Sequence, residues 1–403
     1  MNLFFNTNKF INEQVIHRNI SFFATDLKNN EAKLLAHIQH KKVLVIGGAG
    51  TIGASFIRAL LPYKPSTLVV VDSNENGLTE LVRDCRSRSD ISLPHDFKSY
   101  PVNFGDPVFT KIFLQDAPFD IVANFAAHKH VRSEKDVYSI QAMIDNNVLK
   151  AKAFLDLLLQ HKPKHFFCVS TDKAANPVNI MGASKKLMEE VILAYANELP
   201  ITTARFANVA FSNGSLPAGF IERMLKQQPI SCPADVKRFF VSPDESGQIC
   251  LMACILGNSG EIFFPKLQES QMVYFKDIAL AFIKQNGFEP LVCHTEQEAK
   301  SVMQRALSNK QYPILLFNSD TSGEKLYEEF YTHTETLNLT QYEALGVVLN
   351  APKRSKDELN LIIDKVKELF THNIAKADVV QLLNQLLPGF QHIETGTNLD
   401  QKM

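Results

Sequence analysis

The chain contains no tryptophan, so its 29 phenylalanines carry most of the aromatic burial. Its six cysteines, at 85, 168, 232, 250, 254 and 293, form no CxxC pair and no zinc-type spacing, which leaves no basis for a zinc ribbon or a dithiol redox motif. Cys250 and Cys254 stand four apart in the apolar run Ile249–Leu256 and read as two thiols on one buried helix face, not as a disulfide. Neither sign of charge is in excess: 42 Lys and Arg face 43 Asp and Glu. That balance argues against nucleic acid or an anionic membrane surface as partner. No apolar run approaches the ~20 residues needed to span a bilayer, and Met1–Asn6 lacks the basic start and sustained apolar core of a secretory signal. A soluble, cytoplasmic protein is expected, without internal repeats or low-complexity segments. The 403 residues, 45% hydrophobic and 21% charged, suit a globular protein of two or three domains.

What is present is a strand–helix alternation. Residues 1–40 read as an irregular N-terminal extension ending in a short helix, Asn30–Gln39. Val43–Ile46 is a continuous apolar run ending in glycines, as a buried parallel strand does. Further strands are expected at Thr67–Val71, Ile121–Phe125, His165–Val169 and Ile201–Phe206, with helices at Phe56–Leu61, Tyr138–His161 and Gly182–Asn197. Such alternation builds βαβ units and a parallel sheet, here over residues 41–206. Between 207 and 345 the alternation weakens, and strand candidates Glu261–Phe264 and Ile314–Phe317 suggest a smaller α/β lobe over the carboxyl ends of that sheet. Residues 346–403 read as a helical extension. Ser355–Glu358 is a capping box, and Leu359, Ile362, Ile363, Val366, Leu369 and Phe370 recur at helical spacing, followed by a second stripe, Val379–Leu387, stopped by Pro388-Gly389. This hairpin packs either on its own subunit or at an oligomer contact.

Gly47-Gly48-Ala49-Gly50-Thr51-Ile52-Gly53 lies between a strand and a helix. Glycines let the backbone turn tightly beside a pyrophosphate, and the helix N-terminus offers free N–H groups and a positive dipole. Gly47, Gly50, Thr51, Ile52 and Gly53 are the expected phosphate cradle. Asp72, ending the next strand, would accept hydrogen bonds from the adenosine ribose and repel a 2′-phosphate, with Ser73 and Asn74 beside it. NAD is therefore favoured over NADP, although Arg83, Arg86 and Arg88 lie downstream. The fold expected is a Rossmann-type doubly wound parallel sheet.

Four segments in order carry a resemblance: the glycine loop, Asn124–Val131, Ser170-Thr171-Asp172-Lys173-Ala174, and Met181-Gly182-Ala183-Ser184-Lys185. Together they resemble the extended short-chain dehydrogenases, and within them the polysaccharide-biosynthesis group of UDP-N-acetylglucosamine 4,6-dehydratases. Arg205–Val209, Arg238–Phe240, Gly260–Phe263 and Gly323–Glu329 extend the likeness over about residues 41–335. The terminal segment Glu394–Met403 is similar to longer members linked to bacterial nonulosonic (legionaminic-type) sugar pathways.

The resemblance implies a hydro-lyase acting on a UDP-N-acetylhexosamine. Hydride leaves carbon 4 for bound NAD, water leaves across carbons 5 and 6, and the hydride returns to carbon 6. By this likeness Asp172 is the acid for the departing water and Lys173 the base at carbon 5, with Thr171 and Lys185 in the same catalytic group. Lys173 would need a lowered pKa. The class carries Tyr, three further residues, then Lys; here Met181 stands at the Tyr position while Lys185 remains, and Met moves no proton; a subset of the group resembles this chain in that. Lys185 would bind the nicotinamide ribose. The likeness also places Asn103, Phe104, Ala126, Ala127, Lys129 and Asn147 at the cofactor, and His130, Met181, Asn208, Ser215 and Arg238 at the substrate. His128 and His130 have no third ligand, so no metal is expected. A homo-oligomer is implied. A nucleotide-sugar epimerase and a non-catalytic dinucleotide-binding scaffold are the alternatives.

Overall fold

The computed structural model describes residues 5–319, 323, 325 and 327–394. Met1–Phe4 of the leader reading, Glu324 and Leu326 of the Gly323–Glu329 motif, and Thr395–Met403 of the terminal resemblance lie outside the described residues.

Six parallel strands form the centre: β1 (Lys42–Ile46), β2 (Thr67–Val71), β3 (Asp96–Tyr100), β4 (Ile121–Asn124), β5 (His165–Val169) and β6 (Ile201–Ala204). Their spatial order is β3-β2-β1-β4-β5-β6, so the strand order reverses between β1 and β4. Beyond β6 the sheet continues with Ile262–Pro265, parallel to it, then antiparallel Leu345–Val348 and Leu337–Asn338. β2, β4 and β6 are buried along their whole length, the consequence of helices covering both faces. The expected Rossmann-type doubly wound sheet is present. β3 was not expected from the sequence: its residues Asp-Phe-Lys-Ser-Tyr are all half-buried at the sheet edge and show no apolar run.

Ile230–Pro233, Gln311–Phe317 and Glu289–Cys293 make a separate parallel sheet. Its core contains Phe220, Met224, Ile230, Phe282 and Ile314, joined by Phe10, Ile11 and Val15. The N-terminal lead is therefore not irregular. It folds as Thr7–Phe10, a π-helical turn Ile11–Val15 and the helix Ala24–Asn29, because its few apolar residues fill that second core. The strand Ile262–Pro265, expected in the smaller lobe, belongs instead to the main sheet.

The expected continuous helix Tyr138–His161 is interrupted. Val137–Ile144 and Lys150–Gln160 are joined by a π-helical turn, Asp145–Leu149, a distortion that often marks a functional site. The helix after the glycine loop begins earlier than its apolar pattern, at Thr51, and runs to Leu60. The C-terminal hairpin is Lys356–Leu369 and Lys376–Leu386. Both helices contact the helix Ile180–Ala194, and Arg354 Nε bonds Glu190 at 2.6 Å, so the hairpin packs on its own subunit. All six cysteines are free and buried. Among the described residues no helix is long and apolar enough to cross a membrane.

Candidate active site

The reversal between β1 and β4 opens a crevice at the carboxyl ends of the strands, where open α/β sheets bind ligands. Gly47 turns there with φ +73°, and a Cβ on it would lie 2.5 Å from the Ala126 nitrogen. A Cβ on Gly53 would collide with the Gly47 carbonyl. Both positions therefore require glycine for the loop to pass this close to β4 and its own helix. Gly50 is the N-cap and offers no capping side chain, which leaves the first-turn N–H groups of the helix, including those of Thr51 and Ile52, for an anion. These features fit a dinucleotide pyrophosphate. Asp72 Oδ2 accepts from Ala49 N and Oδ1 from Asn74 N, each at 2.9 Å. The carboxylate thus braces the glycine loop, and each oxygen retains a lone pair for a ribose hydroxyl. Ser73 and Asn74 are exposed beside it, and Asn74 caps the next helix through Gly77 N.

β5 ends at Val169, and the chain turns through Ser170 and Thr171 into a 3₁₀ turn, Asp172–Ala174. Asp172 N donates to Phe206 O at 3.2 Å. Asp172 Oδ1 accepts from Thr171 Oγ1 at 2.8 Å, Lys173 N at 2.9 Å and Lys173 Nζ at 3.1 Å. Lys173 Nζ also lies 3.5 Å from Glu328 Oε1, which is 3.9 Å from Arg238. Asp172, Glu328 and Arg238 are 4%, 5% and 5% exposed. This corrects one expectation. Burial pulls the Lys173 amine down, but Asp172 and Glu328 outweigh it, and its pKa stands above the ordinary lysine value. Glu328 in turn is pushed up, by burial first and by Asp172, against Lys173 and Arg238.

Met181 is buried in the first turn of the helix Ile180–Ala194, and its N–H donates to Glu134 Oε1 at 2.8 Å. Lys185, one turn on, is buried, and its Nζ donates to Val169 O at 2.6 Å and approaches Met188 Sδ at 3.0 Å. Burial lowers its pKa. The amine ties the helix to the end of β5 through one of its three N–H donors. Asn147, in the π turn, bonds the His128 backbone at both N and O and donates to Ser184 Oγ at 3.0 Å. It positions the His128 loop and the helix, and both ends of its amide are spent on protein.

The remaining expected residues divide. Ala126 and Ala127 line the glycine-loop side of the crevice half-exposed, and Lys129 and His130 are exposed. A Cβ on Gly214 would lie 2.9 Å from the His130 ring, so His130 faces the 213–215 loop, which Thr51 Oγ1 anchors through Asn213 N at 2.9 Å. Ser215 caps the helix Leu216–Leu225, and Asn208 is half-buried in a two-residue strand. Phe104 is buried, its ring 6.4 Å from that of Phe154, while Asn103 Oδ1 accepts from Gly105 N. A cavity of about 670 Å³ is lined by the second helix of the C-terminal hairpin, including Lys376 and Gln381, with His392 and Glu394 beyond it, and by none of these residues.

Sequence reasoning assigned no role to Glu328, Glu134 or Glu189. Glu189 accepts from Ser170 Oγ at 2.6 Å and pairs with Arg205. The Arg205 guanidinium, fully buried, reaches Glu189, Glu335 and Phe330 O.

Residues 43–350 match the family described as polysaccharide biosynthesis protein. An uncharacterized membrane protein, MJ1061, of Methanocaldococcus jannaschii is 30% identical over 76% of this chain and 85% of its own. A UDP-N-acetylglucosamine 4,6-dehydratase (inverting) of Campylobacter jejuni is 25% identical over 75% of this chain and 86% of its own. A UDP-glucose 4-epimerase of Rickettsia typhi is 30% identical over 77% and 96%. The chain spans about half, 46% and 55%, of two longer curated relatives. Among solved structures, Pen from Bacillus thuringiensis superposes with a TM-score of 0.63 at 22% identity, covering 81% of this chain and 98% of that one, a likeness of fold. With the glycine loop, the doubly wound sheet and a match over most of its length, the chain belongs to the polysaccharide biosynthesis protein family, within the extended short-chain dehydrogenase group.

Proposed function

We propose that this protein is a NAD-dependent nucleotide-sugar enzyme, and specifically a UDP-N-acetylglucosamine 4,6-dehydratase yielding a UDP-4-keto-6-deoxy-N-acetylhexosamine for surface-polysaccharide or nonulosonic-sugar synthesis. The observation that carries it is the pair of buried Asp172 and half-buried Lys173 just past the end of β5, with 3.1 Å between Oδ1 and Nζ, beside a Met where the class has its proton-carrying Tyr. Gly47, Gly50, Gly53 and Asp72 would hold NAD, which when bound supplies a reversible hydride acceptor.

Elimination needs Lys173 neutral and Asp172 protonated. The ion pair in the structure is the same pair with its proton on nitrogen, and the contact is short enough for direct transfer. Burial favours the neutral pair and Glu328 opposes it. In elimination Lys173 takes the carbon 5 proton, the carbon 5–carbon 6 double bond forms, and Asp172 protonates the carbon 6 oxygen, which leaves as water. Both residues end in the charged forms seen here. As hydride returns to carbon 6, Lys173 gives its proton back to carbon 5. The carbon 4 hydroxyl proton leaves to solvent during oxidation, and after turnover the Asp172 carboxylate and neutral Lys173 take up one proton from solvent and return to the form seen here. Arg238, joined to this pair through Glu328, would meet the diphosphate as a planar fork.

The test is mass spectrometry after incubation with UDP-N-acetylglucosamine, without added cofactor. Loss of one water is the expected result, with no stoichiometric NADH accumulating in steady turnover. Unchanged mass with a new isomer would identify an epimerase, the reading favoured by the Rickettsia relative. No change on any nucleotide sugar would leave a dinucleotide-binding scaffold.

A further inference from the structure

We propose that the C-terminal segment is a working part of the catalytic centre, and that His392 and Glu134 form the clasp by which it positions the start of the helix Ile180–Ala194 and the Asp172–Lys173 turn. This rests on the dehydratase reading only for its effect on rate. His392 Nε2 and Glu134 Oε2 face each other at 3.7 Å, with side chains 6% and 5% exposed. Neither atom has a hydrogen-bond partner. Two buried polar atoms left for each other are costly unless the contact serves a purpose. Glu134 spends its other oxygen on Met181 N at 2.8 Å, so the contact leads directly to the first turn of the helix.

The backbone on either side of His392 is tied to the same region. Ile393 N donates to Val178 O at 3.0 Å and Gln391 N to Pro177 O at 3.5 Å. Pro177 and Val178 belong to the short link between the Asp172–Ala174 turn and the helix. Ile393 O accepts from Gly323 N at 2.9 Å, and Gly323 O accepts from Asn179 Nδ2 at 2.7 Å. The segment thus joins the helix N-terminus to the stretch leading to Glu328, the partner of Lys173. Transmission to Lys173 is steric. A Cβ on Gly182 would lie 2.7 Å from the Lys173 carbonyl, so the helix start cannot shift inward without displacing Lys173. Acid and base must stand within about an ångström of their working positions, and a misplacement of that size can cost about a hundredfold. His392 and Glu134 are positioning residues; nothing places them on substrate.

The experiment compares the full-length wild type with His392→Ala, His392→Gln and Glu134→Ala by amide hydrogen exchange over residues 171–182, by bound-NAD content, and by kcat and KM with UDP-N-acetylglucosamine. His392→Ala is expected to speed exchange in that segment and to lower kcat about ten- to a hundredfold with KM nearly unchanged. His392→Gln, which still presents a donor to Glu134, restores most of both; Glu134→Ala behaves like His392→Ala. Retained NAD shows that the variants are folded. Exchange in 171–182 equal to wild type in both alanine variants overturns the clasp, as does a glutamine variant no better than alanine. A wild type that leaves UDP-N-acetylglucosamine intact, with exchange faster in the alanine variants and restored by glutamine, supports the clasp and removes the dehydratase reading alone.

Discussion

Replacing Arg205 by Met should expose how much of this fold depends on one buried cation. The guanidinium is fully buried and reaches two carboxylates, Glu189 and Glu335, which are 1% and 4% exposed. Five hydrogen bonds between 2.8 and 3.0 Å leave from its three nitrogens. Met fills most of the volume but leaves both carboxylates without their cation. Breaking a buried pair from one side costs about 3–5 kcal/mol, and this site has two anions, so the upper end applies at neutral pH. The sign with pH follows from Glu189. Burial raises its pKa, but Arg205 first, then Lys186 and Ser170, hold it below the ordinary value. In the wild type that contribution is complete above the usual glutamate range, near pH 4.3, and is lost as pH falls through the lowered value. In the variant only Lys186 and Ser170 still oppose burial, the carboxyl pKa rises, and the protein recovers stability as pH falls. Urea unfolding at several pH values should therefore show a deficit that is largest near pH 7 and shrinks towards pH 5. Arg205→Lys should not restore it, since one ammonium cannot reproduce the fork. A deficit below about 1 kcal/mol at pH 7, or one that does not change with pH, would refute the reasoning.

Asp72→Ala should weaken NAD binding in calorimetry by about 1.5–3 kcal/mol, from charge-assisted bonds to the ribose, and loosen the glycine loop that the carboxylate braces through Ala49; equal affinity in both proteins counts against the assignment. Glu328→Gln removes an anion 3.5 Å from Lys173 Nζ; the Lys173 pKa should drop, moving the limb of the kcat/KM profile that reports it to lower pH, and an unmoved limb sinks the assigned coupling. Asp172→Asn should abolish water loss, a fall of about a hundred- to ten-thousandfold, with substrate still bound, whereas Met181→Leu keeps substantial activity. Equal loss in both would show that proton transfer does not centre on Asp172.

The sheet was legible because its strands are buried on both faces. Val43–Ile46 and Thr67–Val71 are continuous apolar runs, and such runs need no partner to be recognised. β3 was not legible for the opposite reason: an edge strand of Asp, Lys, Ser and two aromatics has neither a run nor a buried period. The N-terminal helices escaped notice because Phe10, Ile11 and Val15 span only one short helix and a π-helical turn, too few apolar residues to show a helical period. At the site, the Thr171-Asp172-Lys173 triplet and the glycine loop are local in sequence, so motif order found them. The lysine's charge state was only partly local. Its neighbour Asp172 raises the amine most, and Glu328, 155 positions away and brought beside it only by folding, adds to that against burial, turning an expected low pKa into a high one.

Met181 shows how a position can lose its chemistry and keep its place. A Tyr there would need its hydroxyl at the substrate. Met needs only burial, and its side chain is 2% exposed. The functional group left at this position is the backbone N–H, held by Glu134 at 2.8 Å. Ser184 Oγ in turn donates to the Met181 carbonyl at 2.7 Å and receives Asn147. The first turn of the helix is thus fixed through its main chain from two sides, one reaching the π turn and the other the 131–135 segment. With the turn fixed in this way, the pair proposed to move protons, Asp172 and Lys173, sits one loop away against a rigid wall. On this argument the side chain at 181 tolerates any unbranched or γ-branched apolar residue. A Pro there, which removes the N–H, should cost activity even though Pro is well accepted in the first turn of a helix.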